Sequence, residues 1–165
     1  MNKLFLSVLI FALSFSLSAS TTSSNSNPIK GISSSIVNQK GDSVKDLKLE
    51  EKDYVAVYYS ASWCPPCRQF TPVLDKFYNE NKTEGNFEIL LVGFDRSEDK
   101  MLEYLSHMSF NAVDFKKADK SGLKNFCGRG IPCLTVFNKS GEVVIDGRKL
   151  HASEALKAFE KLLKK

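Results

Sequence analysis

The chain has 165 residues, of which 42% are hydrophobic and 25% are charged, a balance typical of one globular domain rather than two. Its formal net charge of +4 comes from 23 basic and 19 acidic residues. No basic stretch alternates with aromatic residues as a nucleic-acid groove requires. The composition therefore indicates a single domain with a core of ordinary size, and it argues against a nucleic-acid partner.

The first twenty residues have the pattern of a secretory signal peptide. Lys3 gives a positive start, residues 4–17 are apolar apart from three serines, and small residues follow at 18–20. The apolar run is shorter than the roughly 20 residues that a spanning helix needs, so we expect no stable membrane insertion. We predict export to a periplasm or an extracellular or secretory compartment, with three segments: a signal peptide at 1–20, a polar linker at 21–28 and a folded domain at 29–165.

Hydrophobic patterning predicts alternating strands and helices through the first part of the domain. Residues 36–44 contain a Lys-Gly-Asp turn and predict a short hairpin or edge strand. Continuous apolar runs predict buried strands, and apolar residues at helical spacing predict helices. In chain order these are a strand at 54–60, a helix at 64–81, a strand at 87–94 and a helix that starts at Glu98-Asp99 and carries Met101 to Met108.

The last third of the chain predicts a hairpin and a helix. Strands at 134–137 and 142–145 flank a four-residue turn, and an apolar stripe over 155–163 predicts a last helix with Ser153 as its N-cap. Alternation of strands and helices favours a parallel sheet with crossover helices, to which the hairpin adds antiparallel strands. We therefore predict an α/β fold with a central mixed sheet and helices on both faces.

The most informative stretch is Trp63-Cys64-Pro65-Pro66-Cys67-Arg68, which lies between a predicted strand and a predicted helix. This junction places Cys64 at a helix N-terminus, where free N–H groups and the helix dipole favour an anion. The thiolate is the nucleophile in disulfide exchange, and thiol pKa values in such motifs fall to roughly 3.5–7.5. Cys67 lies one turn away and can resolve a mixed disulfide. Pro65 falls in the first helical turn, where a missing N–H costs little.

These residues resemble the active site of the thioredoxin superfamily, specifically its tryparedoxin and nucleoredoxin branch. The whole stretch YYSASWCPPCRQFTPVLDKFY is similar to that branch. Pro72 matches a proline of the active-site helix, and Arg129-Gly130-Ile131-Pro132 matches the loop that bears the family's cis-proline. The resemblance covers about residues 36–160 and implies the thioredoxin fold.

The resemblance also implies a role for each matching residue. Cys64 would be the exposed attacking thiol and Cys67 the buried resolving thiol. Trp63 would shield the site and contact partners, with the two prolines between the cysteines in the same substrate-binding surface. Pro132 would hold a cis bond facing Cys64, as cis bonds are nearly confined to proline. Ile131 would offer backbone hydrogen bonds to a substrate peptide.

One pair of positions departs from classical thioredoxins. Tyr58 stands where those proteins bury an aspartate, and Leu91 stands in place of the lysine that partners it. The tryparedoxin branch also has an aromatic residue at the first position. The usual proton acceptor for Cys67 is therefore missing, and water and the Tyr58 hydroxyl are the candidates. Asp95, at the end of a predicted strand, either tunes the site or caps a loop.

Two further cysteines, Cys127 and Cys133, bracket the loop that matches the cis-proline segment. They are either free thiols that fill core space or a structural disulfide that clamps the loop in an exported protein. A second redox pair that relays electrons to Cys64 and Cys67 is a third interpretation. The sixty residues between Cys67 and Cys127 argue against a four-cysteine zinc site, so we expect no metal.

The predicted function is that of an exported thiol–disulfide oxidoreductase that reduces protein disulfides by dithiol exchange through Cys64 and Cys67. It would need no cofactor, take electrons from a thiol donor and act as a monomer. The resemblance favours the reducing direction, because the similar proteins are reductants. Two alternatives remain open. One is a non-catalytic binding module on a thioredoxin scaffold with a permanent Cys64–Cys67 disulfide, and the other is a specialised reductase for cytochrome c maturation.

Overall fold

The computed structural model describes residues 27–164. The predicted signal peptide and most of the predicted linker lie outside the described residues. Asn27 and Pro28, the last two residues of that linker, are described. The Asn27 carboxamide accepts a hydrogen bond from the Ile29 N–H at 2.9 Å and donates one to the Lys139 carbonyl at 3.2 Å. The end of the predicted linker therefore contacts the folded domain.

A six-stranded mixed sheet forms the centre of the domain, with strand order β1-β4-β3-β2-β5-β6. β2 pairs in parallel with β3 and antiparallel with β5, and β5 pairs antiparallel with β6, so the predicted combination of a parallel unit and a hairpin is confirmed. The strands are β1 (Ile36–Val37), β2 (Tyr54–Ser60), β3 (Phe87–Gly93), β4 (Asn111–Val113), β5 (Cys133–Asn138) and β6 (Val143–Ile145).

Across residues 27–164, four α-helices and three short 3₁₀ helices surround the sheet. Within the described residues, no helix combines the length and apolar character needed to cross a bilayer. The α-helices are α1 (Pro65–Asn81), α2 (Glu98–Leu105), α3 (Phe115–Ala118) and α4 (Ala152–Leu163), and the 3₁₀ helices span Lys30–Ser35, Leu49–Glu51 and Leu123–Phe126.

The start of the last helix differs from the sequence prediction. α4 begins at Ala152 with His151 as its N-cap, so the assignment of Ser153 as N-cap is wrong. The Glu154 carboxylate accepts a hydrogen bond from the His151 backbone N–H at 3.1 Å. The Glu154 side chain in the first turn thus satisfies the backbone N–H of His151, and a serine side chain is not required at the N-cap position.

Side chains of β2 alternate between two hydrophobic clusters, one on each face of the sheet. Ala56 and Tyr58 pack with residues of α1, α2 and α4. Val55, Val57 and Tyr59 pack on the other face with the 3₁₀ helices and α3. Strand residues point to opposite faces with a period of two, and helices cover both faces, which confirms the predicted layering.

The sheet also brings two separate loops together at one edge. β2 ends at Ser60, just before the start of α1, and Tyr59 pairs with Cys133, the first residue of β5. Because β2 and β5 are antiparallel neighbours, the carboxyl end of one meets the amino end of the other. The Cys64 segment and the loop before Cys133 therefore lie side by side.

Candidate active site

Cys64 and Cys67 form a disulfide at the N-terminus of α1. Cys64 is the N-cap, and its sulfur accepts a hydrogen bond from the Cys67 backbone N–H at 3.3 Å. Pro65 and Pro66 have no N–H, so Cys67 offers the first backbone donor of the helix. In the reduced protein this donor and the helix dipole would stabilise a Cys64 thiolate.

Both cysteines are nearly inaccessible in this oxidised form. Cys64 is 3% exposed and Cys67 is 0% exposed. The resemblance implied an exposed Cys64, but Phe94 and Ile131 pack against the small cluster that the cysteines form with Ala61. Cys64 is the slightly more exposed of the two residues.

The loop that faces the disulfide carries a cis peptide bond between Ile131 and Pro132, as predicted. The Ile131 carbonyl oxygen lies 3.7 Å from Cys64 Sγ. Ile131 and Pro132 are both partly exposed. Their backbone is therefore available to an extended segment that approaches the disulfide.

Trp63 projects into solvent directly before the first cysteine. Its side chain is 56% exposed, and its indole N–H donates a hydrogen bond to the Phe94 carbonyl at 3.0 Å. This bond fixes the segment before α1 to the end of β3. The large exposed ring beside the disulfide fits the predicted contact with partners.

The Asp95 carboxylate is hydrogen bonded to the same segment, just before Trp63. Its Oδ1 atom accepts hydrogen bonds from the Ser62 backbone N–H at 3.0 Å and from the Ser62 hydroxyl at 2.6 Å. The residue is only 8% exposed, and its Oδ2 atom has no hydrogen-bond partner among the described residues. Of the two interpretations of Asp95, these hydrogen bonds support the one in which its carboxylate caps a loop.

A cluster of four buried hydroxyls lies beneath Cys67. Tyr58 Oη is 2.9 Å from Thr71 Oγ1 and accepts from Ser60 Oγ at 3.0 Å. Tyr104 Oη is 3.0 Å from Ser60 Oγ and 2.5 Å from Thr71 Oγ1. The Thr71 hydroxyl also donates to the Cys67 carbonyl at 3.0 Å. Sequence reasoning found only Tyr58 of this cluster, because Tyr104 comes from α2 and has no local signal.

Burial decides the protonation of Tyr58. Removal from water raises the pKa of its phenol well above the usual value, and the hydrogen bonds from Ser60 and Thr71 oppose this only in part. Tyr58 is therefore a neutral phenol at neutral pH, whose hydroxyl also lies 3.4 Å from the Cys67 carbonyl. It does not serve as a phenolate base for the Cys67 thiol.

A groove of about 1170 Å³ runs from the cis-proline loop between α1 and α4. Its walls combine apolar surface with charges of both signs. Pro66, Ile131 and Pro132 line the end that is next to the disulfide. Farther along, the lining residues include Val73, Lys76, Glu80, Leu150, Lys157 and Glu160.

Cys127 and Cys133 are free thiols in this structure, the first half-buried and the second buried. This agrees with one of the interpretations left open by the sequence. His107 and His151 are exposed. No group of three or more His, Cys, Asp or Glu side chains in residues 27–164 could hold a metal ion.

The sheet topology, the CxxC disulfide at the N-terminus of α1 and the cis-proline that faces this disulfide together define a thioredoxin-type redox protein. The profile of a family described as Thioredoxin-like matches residues 52–143. The chain belongs to this family.

Similar proteins come from the nucleoredoxins and tryparedoxins. Bovine nucleoredoxin is 41% identical over 116 residues, which cover 68% of this chain and 26% of that protein. Tryparedoxin of Trypanosoma brucei brucei is 40% identical over 93 residues, which cover 55% of this chain and 65% of that protein. The solved structure of tryparedoxin II from C. fasciculata matches with a TM-score of 0.67 at 28% identity, covering 81% of this chain and 93% of that one. The chain thus spans about a quarter of the length of the nucleoredoxins it matches.

Proposed function

We propose that this chain is an exported thiol–disulfide oxidoreductase that reduces disulfides in protein substrates. The observation that carries the proposal is the position of Cys64, at a helix N-terminus with the Cys67 N–H 3.3 Å from its sulfur and the Ile131 carbonyl 3.7 Å away. The first contact favours a thiolate, and the second provides a backbone acceptor beside the place where a substrate disulfide would react.

The reaction would proceed by two exchanges. The Cys64 thiolate attacks one sulfur of the substrate disulfide, forms a mixed disulfide and releases the other substrate sulfur as a thiolate. Cys67 loses its proton and attacks Cys64 Sγ, which frees the second substrate sulfur and leaves the disulfide seen here. A thiol donor then returns two electrons to the pair. No metal or organic cofactor takes part in these steps.

The groove supports a protein as substrate. An extended segment beside Ile131 and Pro132 could continue between α1 and α4, where a volume of about 1170 Å³ is open. The exposed Val73 and Leu150 offer apolar contacts there, at 54% and 39% exposure. Trp63 adds an exposed aromatic surface directly before the first cysteine.

Export is supported by the sequence of residues 1–20. They combine a basic start, an apolar stretch and small residues in the order of a cleavable signal peptide. Mass spectrometry of the protein purified from an exporting host tests this. Loss of a piece that ends between Ala19 and Thr21 supports export, whereas an intact Met1 overturns it.

Insulin reduction with dithiothreitol tests the activity itself. We expect the wild-type chain to accelerate precipitation of the insulin B chain, and the Cys64→Ser variant to match the uncatalysed rate. Glu84→Gln is the control, because it changes an exposed residue that precedes β3, at the end of the sheet away from the disulfide. A wild-type rate no higher than that of Cys64→Ser would favour the binding module with a permanent disulfide. Equilibration with glutathione then sets the direction, since a potential near about −270 mV is typical of a reductase and one near about −120 mV of an oxidant.

A further inference from the structure

The second pair of cysteines forms a contact that the proposed reaction does not use. The Cys127 and Cys133 side chains lie close enough to perturb each other's pKa, and the Cys127 thiol donates to the Gly130 carbonyl at 3.9 Å. The Gly128 backbone N–H donates to the Cys133 sulfur at 3.3 Å. The buried Cys133 thiol at the start of β5 thus has one backbone donor, with the Cys127 side chain nearby.

The backbone geometry places the two cysteines within reach of a disulfide. The Gly128 nitrogen is two covalent bonds from Cys127 Cα, at most about 2.9 Å. With the 3.3 Å contact to Cys133 Sγ, Cys127 Cα lies within about 6 Å of that sulfur. The Cys127 side chain extends from that Cα, so rotation about its Cα–Cβ bond can bring its sulfur near the Cys133 sulfur, as a disulfide requires.

The two thiols differ in how far they are exposed to solvent. Cys133 is 2% exposed and is covered by a backbone turn, because a side-chain carbon added at Gly147 would meet its sulfur at 2.7 Å. Cys127 is half-buried and lies beside Gly128, Arg129 and Gly130, which line the groove. A reagent from solvent can therefore reach Cys127 first, and only Cys127.

The interaction between the two thiols changes the pKa of each in a way that favours oxidation of the pair. The Cys127 S–H and the Gly128 N–H lower the pKa of Cys133 to about 7, against the opposing effect of burial. The same interaction raises the pKa of Cys127. The pair therefore gives up its first proton more easily than an isolated thiol, and the second proton is shared between the two sulfurs.

We propose that Cys127 and Cys133 are a second redox-active dithiol, which a small anionic disulfide of the glutathione disulfide class oxidises to an intramolecular disulfide. The exposed Arg129 between them and the exposed Lys149, which also lines the groove, favour a reagent that carries carboxylates. The half-buried position of Cys127 favours a small disulfide over a bulky protein disulfide as the direct reagent.

The exchange takes place in two balanced steps. The pair first loses one proton to solvent. The proton that remains moves from Cys127 to the Cys133 sulfur as Cys127 attacks one sulfur of the small disulfide and expels the other half as a thiolate. Cys133 passes the proton to that thiolate, attacks Cys127 Sγ and expels the second half, which takes a proton from solvent. Two protein thiols lose two electrons and two protons, and one small disulfide becomes two thiols. The bond that forms ties the ends of the loop that holds Ile131 opposite Cys64.

Peptide mapping of the full chain tests the proposal. Trypsin cuts after Lys124, Arg129 and Lys139, so Cys127 and Cys133 fall on different peptides, at 125–129 and 130–139. Cys64 and Cys67 stay together on the peptide 53–68. The reduced protein is equilibrated in glutathione buffers from fully reduced to fully oxidised, quenched with acid, alkylated and digested. We expect the two short peptides to lose alkylation together and to appear as one joined species in oxidised buffer.

Two variants separate the steps. Cys133→Ala should leave Cys127 as a mixed disulfide with glutathione, because nothing resolves it. Cys127→Ala should leave Cys133 free in the same buffer, because the reagent does not reach it. Full alkylation of both wild-type peptides in oxidised buffer would overturn the proposal, and so would a wild-type mixed disulfide that never closes. Because the peptide 53–68 reports on the first pair separately, these results are independent of insulin reduction.

Discussion

The sulfur of Cys64 lies 3.7 Å from the carbonyl oxygen of Ile131, the residue that precedes the cis-proline. These atoms come from segments that are 67 residues apart. Their proximity follows from the antiparallel pairing of β2 and β5, which end and begin at the same edge of the sheet. A rigid sheet, rather than a flexible loop, thus sets the spacing between the reactive sulfur and the backbone opposite it.

The two active-site cysteines should give different products when each is replaced. Cys67→Ser should accumulate mixed disulfides with substrate, because Cys64 attacks but nothing resolves the bond. Cys64→Ser should accumulate none. Non-reducing electrophoresis after incubation with a disulfide-containing protein measures this. In the reduced wild-type chain, iodoacetamide should label Cys64 before Cys67, and the opposite order would reverse the two roles.

Tyr58→Phe should destabilise the domain without abolishing its fold. The change removes a hydroxyl that is bonded to Ser60 and Thr71 in a buried cluster, and a buried polar group left without a partner costs about 1–3 kcal/mol. Urea unfolding measures the loss. Tyr54→Phe is the matched control on the same strand, since the Tyr54 side chain is only partly buried. An equal effect of both changes would show that the cluster adds nothing specific.

Asp95→Ala and Asp95→Asn should differ. Alanine removes both hydrogen bonds to Ser62, and bonds to a charged group are each worth about 1.5–3 kcal/mol. Asparagine keeps one oxygen for Ser62 and removes a charge whose second oxygen has no partner among the described residues. We expect a large loss of unfolding free energy for alanine and a smaller loss for asparagine, in which the two bonds to Ser62 become neutral. Equal losses would mean that the charge, and not the cap, stabilises the loop.

Glu88→Gln should make the stability less dependent on pH. Glu88 is 5% exposed on β3, and burial raises the pKa of its carboxyl above the usual value despite hydrogen bonds from Tyr78 and the Ile89 N–H. The folded state therefore holds the Glu88 proton more tightly than the unfolded state. This contribution is complete below the ordinary glutamate pKa and is lost as pH rises through the raised value.

At neutral pH the glutamine variant should accordingly be as stable as the wild type or more so, and the difference should shrink in acid. Urea unfolding at several pH values from mildly acidic to neutral measures it. The exposed Glu84 gives the control, as Glu84→Gln should leave the profile unchanged. A variant that loses stability equally at every pH would show that packing, and not the buried charge, dominates at this position.

Sequence patterns predicted the long elements of the fold well. The runs at 54–60 and 87–94 correspond to β2 and β3, and the apolar stripe at 64–81 corresponds to α1. These elements are long enough for their periodicity to stand out. β4 and α3, of three and four residues, were not predicted, because such short segments hold no full period of either pattern and form through contacts with their neighbours.

The features of the candidate active site likewise fall into those that local sequence predicts and those that depend on the tertiary structure. The sequence by itself determined that Cys64 and Cys67 lie at a strand-to-helix junction, because two prolines and a CxxC spacing act over a single turn. The tertiary structure decided what surrounds them. The Tyr104 hydroxyl, the Ile131 carbonyl and the contact between Cys127 and Cys133 depend on how distant segments meet at the sheet edge. Local sequence fixes backbone conformation and reactive groups over a few residues, whereas long-range strand pairing and core packing set the distances between them.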